Sequence, residues 1–290
     1  MTIFRDWRIA LVFAIAMVCW ASAFVAIRLA VREYSPAHLA LLRFLVASSV
    51  LAICALFIPL RRPDLRDLPG LALTGFCGVF IYQTFLNWGE QTVTAGSAAF
   101  LVNTAPIFTG VLAGLFLGET LMARQKIGIA ISFGGALLIA LGEKGGLQFS
   151  GGAMLILIAA FASANYIVLQ KHFLARYSPF ELTAYAFWLG TLMLLIFSPG
   201  LLGAIRIASP EATWAIVYMG VFPGALANVL WALIIQKTTA STGASLLYVV
   251  PILSLLLAWP ILRETPTALS LSGGAIALLG VMVVSAQGKG

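Results

Sequence analysis

The chain has 290 residues, of which 61% are hydrophobic and 9% charged, with a net charge of +7 and a mean hydropathy of +1.03. This composition excludes a soluble domain, which needs far more polar residues to cover its surface. The cations lie between apolar runs and form no basic aromatic face, which also excludes a nucleic-acid-binding protein. The length suffices for about ten membrane-spanning helices of ~20 residues each.

Ten apolar helices are predicted along the chain. The first apolar run continues to Ala30, so it predicts a spanning helix and not a cleaved signal peptide. The segment Tyr34-Ser-Pro36 begins the second helix, and Tyr177-Ser-Pro179 precedes the seventh. The predicted helices cover about residues 9–30, 36–58, 71–88, 95–119, 125–141, 153–170, 181–197, 212–236, 240–264 and 268–285, and a glycine-rich segment, 142–152, joins the fifth to the sixth.

The fourth and ninth helices are copies of one sequence, displaced by 145 positions. Without a gap, Pro106 aligns with Pro251, and Glu119-Thr120 aligns with Glu264-Thr265. Shared apolar composition produces chance matches, but it does not align two prolines and two Glu-Thr pairs. The chain is therefore predicted to be an internal duplication.

The duplication predicts two repeats of five helices each, residues 1–145 and 146–290. Because five is an odd number, the second repeat must enter the membrane in the opposite sense, which gives an inverted repeat. Most of the 17 Lys and Arg residues, Arg62 and Lys126 among them, then fall on the side of the N-terminus. This bias predicts that both termini are cytoplasmic.

The two aligned prolines interrupt their helices near the membrane centre. Proline cannot bond the carbonyl four residues earlier, here at Val102 and Leu247. Those carbonyls can serve a ligand or water where the helix lines a cavity. We interpret Pro106 and Pro251 as pseudo-symmetric hinges, with a static kink as the alternative.

Two further features of these helices are interpreted as structural. The spacing of Gly110, Gly114 and Gly118 predicts a close-packing seam between helices. Glu119, like Glu264 in the copy, is interpreted as a cap on the next helix, with a gate as the alternative.

Arg43 is the only charged residue well inside a predicted helix. A cation in the membrane costs at least ~2.5 kcal/mol, so it should face the bundle interior or a water-filled cavity. The functional interpretation is attraction for a substrate carboxylate. The alternative is a structural cation that binds carbonyls at a kink or reaches the interface along its stem.

Uncharged amides and aromatic side chains near the helix centres complete the candidate site. They suit a ligand with a planar or apolar body and a few hydrogen-bonding groups. For each aromatic residue the alternative is a position at the membrane interface or against lipid. The candidate substrate-binding residues are Trp20, Ser22, Arg43, Tyr82, Gln83, Asn103, Asn165, Tyr166, Trp188, Asn228, Trp231 and Tyr248.

Over essentially its whole length the chain resembles the drug/metabolite transporter superfamily. The resemblance rests on the five-plus-five duplication, on Trp20–Phe24 (WASAF), on Arg43-Phe44, and on the Gly-Glu and Arg-Glu pairs that end the fourth and ninth helices. The chain is similar to the EamA-like branch of ten-helix bacterial metabolite exporters, which includes exporters of aromatic and other amino acids. The resemblance implies an all-α, multi-pass protein of the bacterial inner membrane with ten transmembrane helices.

Together these features favour a secondary transporter that works by alternating access around a central cavity. It would export small neutral or zwitterionic metabolites, amino acids first among them and aromatic ones included. An exporter or importer of other small organic solutes or drugs is the open alternative. The expected partners are a small-molecule substrate and the lipid bilayer; the oligomeric state stays open, a monomer included.

Other classes fit the sequence less well. An integral-membrane enzyme would need paired carboxylates, a histidine cluster or an activated nucleophile, and a passive scaffold would not need duplicated prolines. No phosphate-binding loop or metal-ligand spacing occurs, so we expect no cofactor and no metal. No Asp or Glu lies in the middle of a predicted helix. A proton relay then lacks its usual carrier, which favours facilitated diffusion or weak coupling.

Overall fold

The fold is seen in a computed structural model that describes residues 7–93, 95–142, 151–262 and 267–285. Most of the glycine-rich connection and Glu264 lie outside these ranges. Within them every regular element is a helix, as predicted. The helices are α1 (Trp7–Ala30), α2 (Pro36–Ala55), α3 (Leu68–Gly89), α4 (Ala95–Val102), α5 (Ala105–Leu117), α6 (Ala123–Gly142), α7 (Gly151–Phe173), α8 (Pro179–Leu194), α9 (Leu201–Ile207), α10 (Pro210–Lys237), α11 (Ala240–Ser245), α12 (Val250–Leu262) and α13 (Ala268–Ser285).

Within the described ranges, seven helical segments are long and apolar enough to cross a membrane: α1, α2, α3, α4 with α5, α7, α8 with its following turn, and α10. Shorter apolar helices cover Ala240–Ser254 and Leu271–Val284. Large apolar side chains such as Leu115 and Phe116 are exposed on the outside, where a bilayer would cover them. The count of ten spans stays a prediction.

Ser-Pro pairs begin three of the long helices. Ser35 Oγ accepts a hydrogen bond from the His38 amide (3.2 Å) at the start of α2. Ser178 and Glu181 form a reciprocal capping box at the start of α8. Ser209 Oγ accepts a hydrogen bond from the Ala212 amide (3.2 Å) at the start of α10, so that helix begins at Pro210, two residues earlier than predicted. Proline at the first helical position loses no hydrogen bond, which is why the pairs mark helix starts.

Both halves interrupt their helices at equivalent positions. A turn at Asn103 and Thr104 separates α4 from α5, and the equivalent stretch Leu246–Val249 is a 3-10 turn between α11 and α12. A π-helical segment, Phe76–Ile81, lies within α3, and Gly220–Leu226 lies at the corresponding place in α10. Two kinds of helix irregularity are therefore duplicated: the breaks before the prolines and the π-helical segments.

The helix predicted over residues 95–119 is interrupted at its centre, as predicted, but its predicted end is wrong. The break comes before Pro106, which occupies the first turn of α5, where a missing amide costs least. The helix ends at Leu117 because Gly118 is left-handed, with φ of 66°.

The predicted glycine seam at Gly110, Gly114 and Gly118 is also wrong. A Cβ at Gly110 would lie 2.9 Å from the Leu121 side chain in the following loop, one at Gly114 would meet only the Glu119 carbonyl, and one at Gly118 would meet nothing within 4 Å, so none of the three faces another helix. Close helix packing occurs instead between α6 and α13, where the paired glycines are Gly128 with Gly280 and Gly135 with Gly273.

Equivalent residues of the two halves contact one another. The Phe44 and Phe187 rings lie 4.9 Å apart between α2 and α8. Ser48 Oγ and Thr191 Oγ1, one turn further along, share a hydrogen bond of 2.8 Å. The glycine pairs of α6 and α13 are crossed, because Gly128 contacts the equivalent of Gly135 and Gly135 contacts the equivalent of Gly128, and this order makes the two helices antiparallel. Such self-complementary contacts are those expected of two halves related by a two-fold axis.

Glu119 caps a helix, as interpreted, but that helix is α11 of the other half and not the next one along the chain. Its Oε1 accepts the Ala240 amide (2.7 Å), and its Oε2 accepts the amide (3.0 Å) and hydroxyl (2.8 Å) of Ser241. The negative charge also suits the positive end of the α11 dipole. This carboxylate joins the two halves at one end of the bundle.

Candidate functional site

A cavity of about 100 Å³ lies where the helix interruptions of the two halves meet. Its walls come from α1, α2, α3, α7, α8 and α10, and the two breaks before the prolines contribute further residues. Eight of the residues predicted from sequence line it: Trp20, Arg43, Tyr82, Gln83, Asn103, Tyr166, Asn228 and Trp231.

Four candidates lie outside this lining. Ser22 shares a hydrogen bond with Tyr218 (2.7 Å). Asn165 donates to the backbone of its own helix, and Trp188 donates to the backbone of α2. Tyr248 is fully buried. The lining also includes apolar side chains that have no distinguishing sequence signal, such as those of Phe24, Ile27, Phe44, Leu86, Ile167 and Phe187.

The Arg43 side chain brings the one positive charge to the lining, and it is 4% exposed. Its Nη1 donates to Gln83 Oε1 (3.0 Å), while its Nε has no partner. No carboxylate pairs with it; within the described ranges the one side-chain ion pair joins Arg176 and Asp67. Arg43 is therefore a buried cation whose charge is free to act on a ligand.

Local helix irregularity places the partners of Arg43. Tyr82 and Gln83 directly follow the π-helical segment of α3, and the extra residue in a π turn shifts the faces of all later residues. Gly78 within that segment permits a close approach, because a Cβ there would lie 2.3 Å from the Tyr166 ring. Tyr166 thus reaches the cavity from α7.

An aromatic pair forms the opposite wall. The Trp20 and Trp231 rings have their centres 5.2 Å apart in a tilted arrangement. Trp20 Nε1 donates to the Pro223 carbonyl (3.1 Å), which also accepts from Asn228 Nδ2 (3.0 Å). The π segment of α10 therefore fixes both an aromatic and an amide side chain of the site.

Hydrogen-bond acceptors lie at the two helix breaks. Val102 and Leu247, whose carbonyls Pro106 and Pro251 cannot bond, both line the cavity, although the Leu247 carbonyl accepts the Val250 amide in the 3-10 turn. Asn103 Nδ2 donates to the Ala99 carbonyl (2.7 Å), but the Asn103 Oδ1 has no partner. A buried acceptor without a partner is costly, which marks it as a position for a donor from a ligand.

This arrangement suits reversible binding of a small solute. It combines one guanidinium, uncharged acceptors and an aromatic wall, and among the described residues no Asp, Glu, His or Cys lines the cavity. Within the described ranges no three potential metal ligands cluster either. A solute with a carboxylate, a hydrogen-bond donor and an apolar body meets all three kinds of wall.

Residues 7–141 and 150–286 both match the EamA-like transporter family. The chain is 39% identical over 276 residues to a protein of Streptantibioticus cattleyicolor named a probable terminal-alkyne amino-acid exporter, covering 95% of this chain and 93% of that one. It is 40% identical over 262 residues to an uncharacterised transporter of Bacillus subtilis, covering 90% and 86%. A crystal structure at 20% identity superposes with a TM-score of 0.76 over 96% of each chain, which shows the same fold. The chain is a multi-pass membrane transporter that belongs to the EamA-like transporter family.

Proposed function

We propose that this transporter exports small neutral or zwitterionic metabolites, with amino acids, aromatic ones included, as the main class. The observation that carries the proposal is a buried, unpaired Arg43 in a cavity walled by Trp20 and Trp231. Burying an unpaired cation in the membrane costs free energy, and an ion pair with a ligand carboxylate offsets that cost. The name of the Streptantibioticus relative, an amino-acid exporter, supports the same class.

The geometry suggests how such a ligand would bind. Its carboxylate would take the donors of Arg43 that Gln83 leaves free. Its ammonium group would donate to the unpartnered Asn103 Oδ1 and to the carbonyl of Val102. Its side chain would lie against the tryptophans. A simple amine would bind less well, because it meets the positive charge without supplying a carboxylate.

Movement of the ligand is proposed to follow from the duplication. Residues 1–145 and 146–290 would act as inverted repeats that rock about the cavity, and the breaks before Pro106 and Pro251 would bend as they do so. The protein would lie in a bacterial inner membrane with both termini cytoplasmic. Other small organic solutes or drugs are the second candidate cargo.

Counterflow into proteoliposomes tests the function directly. Vesicles loaded with unlabelled Phe should accumulate radiolabelled Phe transiently, and Trp, Thr and Met loaded in its place should drive the same exchange. A sugar is the negative control. Exchange of the sugar alone, or of none of the amino acids, would refute the proposed substrate class.

The orientation is tested by labelling single cysteines from each face of the membrane. In a background without Cys19, Cys54 and Cys77, we expect Cys at Arg62 and Lys126 to react from the cytoplasmic side. Cys at Arg206, which lies in the exposed last turn of α9, should react from the outside. Labelling of the Arg62 and Arg206 positions from the same face would contradict the inverted arrangement.

The hinges are tested by Pro106→Ala and Pro251→Ala. Each substitution restores one amide donor, with a net worth of ~1 kcal/mol if the break straightens, and a balanced equilibrium then shifts several-fold. Because the repeats are inverted, the two variants should change labelling of a Cys at Asn103 in opposite directions. The loop substitution Pro63→Ala is the control. Equal labelling in all variants, with transport intact, would make these prolines static kinks.

A further inference from the structure

A buried carboxyl group that the proposed mechanism does not use follows directly after α3. The Glu90 amide donates to the Leu86 carbonyl (2.9 Å), so the residue completes the last helical turn just beyond the spanning segment. Its side chain is 0% exposed, and neither carboxyl oxygen has a hydrogen-bond partner. No ion pair found in the described ranges includes it. A carboxyl group that is buried in the protein without hydrogen-bond partners calls for a functional explanation.

Positive charges surround Glu90 without pairing with it. It borders a second cavity of about 340 Å³, whose other lining residues are Arg28, Val31, Arg32 and Gln91. The charges that act on Glu90 are those of Arg28 on α1 and of Arg43 on α2, and Tyr82 in α3 interacts electrostatically with both Arg43 and Glu90. Helix α7 supplies no charge where it packs beside Gly89, since Gly152 and Ile156 lie there.

Burial raises the pKa of the Glu90 carboxyl to about 8, although the charges of Arg28 and Arg43 act in the opposite direction. At neutral pH the group is therefore mainly protonated in this conformation. Glu90 borders the second cavity, so a small local opening would bring water to its buried carboxyl and allow a proton to be exchanged.

We propose that Glu90 is a proton-binding site whose occupancy controls how strongly the central cavity holds a ligand carboxylate. Arg43 connects the two sites, because it lines the central cavity and its charge also acts on Glu90. When Glu90 carries its proton, the Arg43 charge is fully available to the ligand. When Glu90 is ionised, it offsets part of that charge and repels the incoming carboxylate. Proton and ligand then favour each other's binding by the same factor.

The claim that the proton affects ligand binding rests on the proposed function, whereas the claim that Glu90 binds a proton does not. The test measures binding of L-Phe to the purified full-length protein by calorimetry at about pH 6 and about pH 9, on either side of the Glu90 transition. In the wild type, Kd should rise about five-fold or more at the higher pH. Glu90→Gln should keep the tighter affinity for the zwitterion at both, since the amide mimics the protonated acid. Each Kd is referred to zwitterionic L-Phe, because the ligand's own ammonium also loses its proton in the alkaline range. Glu211→Gln, at an exposed position of α10, is the matched control and should behave as wild type.

Calorimetry in two buffers of different ionisation enthalpy adds a second readout. Near pH 8 the wild type should take up part of a proton when it binds L-Phe, and Glu90→Gln should take up less. The same pH dependence in both proteins, or no proton uptake by the wild type, would overturn the inference while leaving the amino-acid site in place. If Glu90→Gln does not fold, absence of proton uptake by the wild type beyond that of the ligand's own ammonium would still overturn the inference.

An outcome without L-Phe binding at any pH would contradict the proposed function alone. The proton site is then decided by infrared spectroscopy of the protein without ligand. A carboxyl band that titrates near pH 8 in the wild type and is missing in Glu90→Gln would support Glu90 as the site. A spectrum with no such difference would overturn it.

Discussion

Arg43→Gln is expected to reduce amino-acid exchange by about 100-fold, because it removes the one charge that the central cavity offers to a carboxylate. A charge-assisted hydrogen bond is worth up to about 3 kcal/mol, and each 1.4 kcal/mol is about ten-fold in affinity. The measurement is counterflow of L-Phe in proteoliposomes, compared with phenylethylamine, which lacks the carboxylate. Exchange of the amine should be spared or improved, since the charge that repels it is gone.

Arg43→Lys is the matched control for this variant. Lysine keeps the charge but loses the planar fork that can bind Gln83 and a carboxylate together, so a partial loss is expected. Equal loss of L-Phe and phenylethylamine exchange in Arg43→Gln would mean that Arg43 supports the fold and not the ligand.

Gly135→Ala is expected to destabilise the protein strongly, although Gly135 is not part of the cavity lining. A Cβ at this position would lie 2.3 Å from the Ala277 amide nitrogen and 2.6 Å from the Gly273 carbonyl oxygen. Both neighbours are backbone atoms, so α6 and α13 must move apart. Overpacking of this kind costs about 1–3 kcal/mol, which a lower Tm of the detergent-solubilised protein should report.

Gly134→Ala, one residue away, is the control, because a Cβ there meets nothing within 4 Å. It should keep or raise Tm, since alanine favours a helix over glycine by up to about 1 kcal/mol. If the two variants had the same Tm, the close contact between α6 and α13 would not hold the protein together.

The parts of the site that the sequence predicted are those with a costly residue type. Arg43 can be recognised because burying a cation in a membrane is energetically costly. Pro106 and Pro251 can be recognised because proline inside a helix removes a backbone hydrogen bond. Asn103 and Asn228 were identified as amides at mid-helix. All of these line or flank the cavity. Residue types that are unfavourable in a membrane-spanning helix can therefore be recognised from the sequence alone.

Side-chain direction is less predictable. Ser22 is two residues from Trp20, yet it bonds Tyr218 while Trp20 lines the cavity. The π segments change the direction in which each later side chain of α3 and α10 points. No clear sequence pattern predicts such segments. A helical wheel drawn at constant pitch is therefore out of register after each segment.

The sequence also did not predict which glycines pack closely between helices or how deeply the Glu90 side chain is buried. The spacing of glycines favoured a seam at Gly110 and Gly114, but the partner of a glycine depends on the tertiary arrangement, which brings Gly135 to Gly273 instead. Glu90 follows a helix in the sequence and therefore looks like a loop residue. Only the neighbouring helices make its carboxyl as inaccessible as one at the membrane centre.

The most direct test of the amino-acid site is an experimental structure of the protein with L-Phe bound. We predict density for the ligand in the central cavity, with its carboxylate at the Arg43 guanidinium and its ring against Trp20 and Trp231. A ligand bound elsewhere, or one whose carboxylate points away from Arg43, would contradict the site described for this transporter.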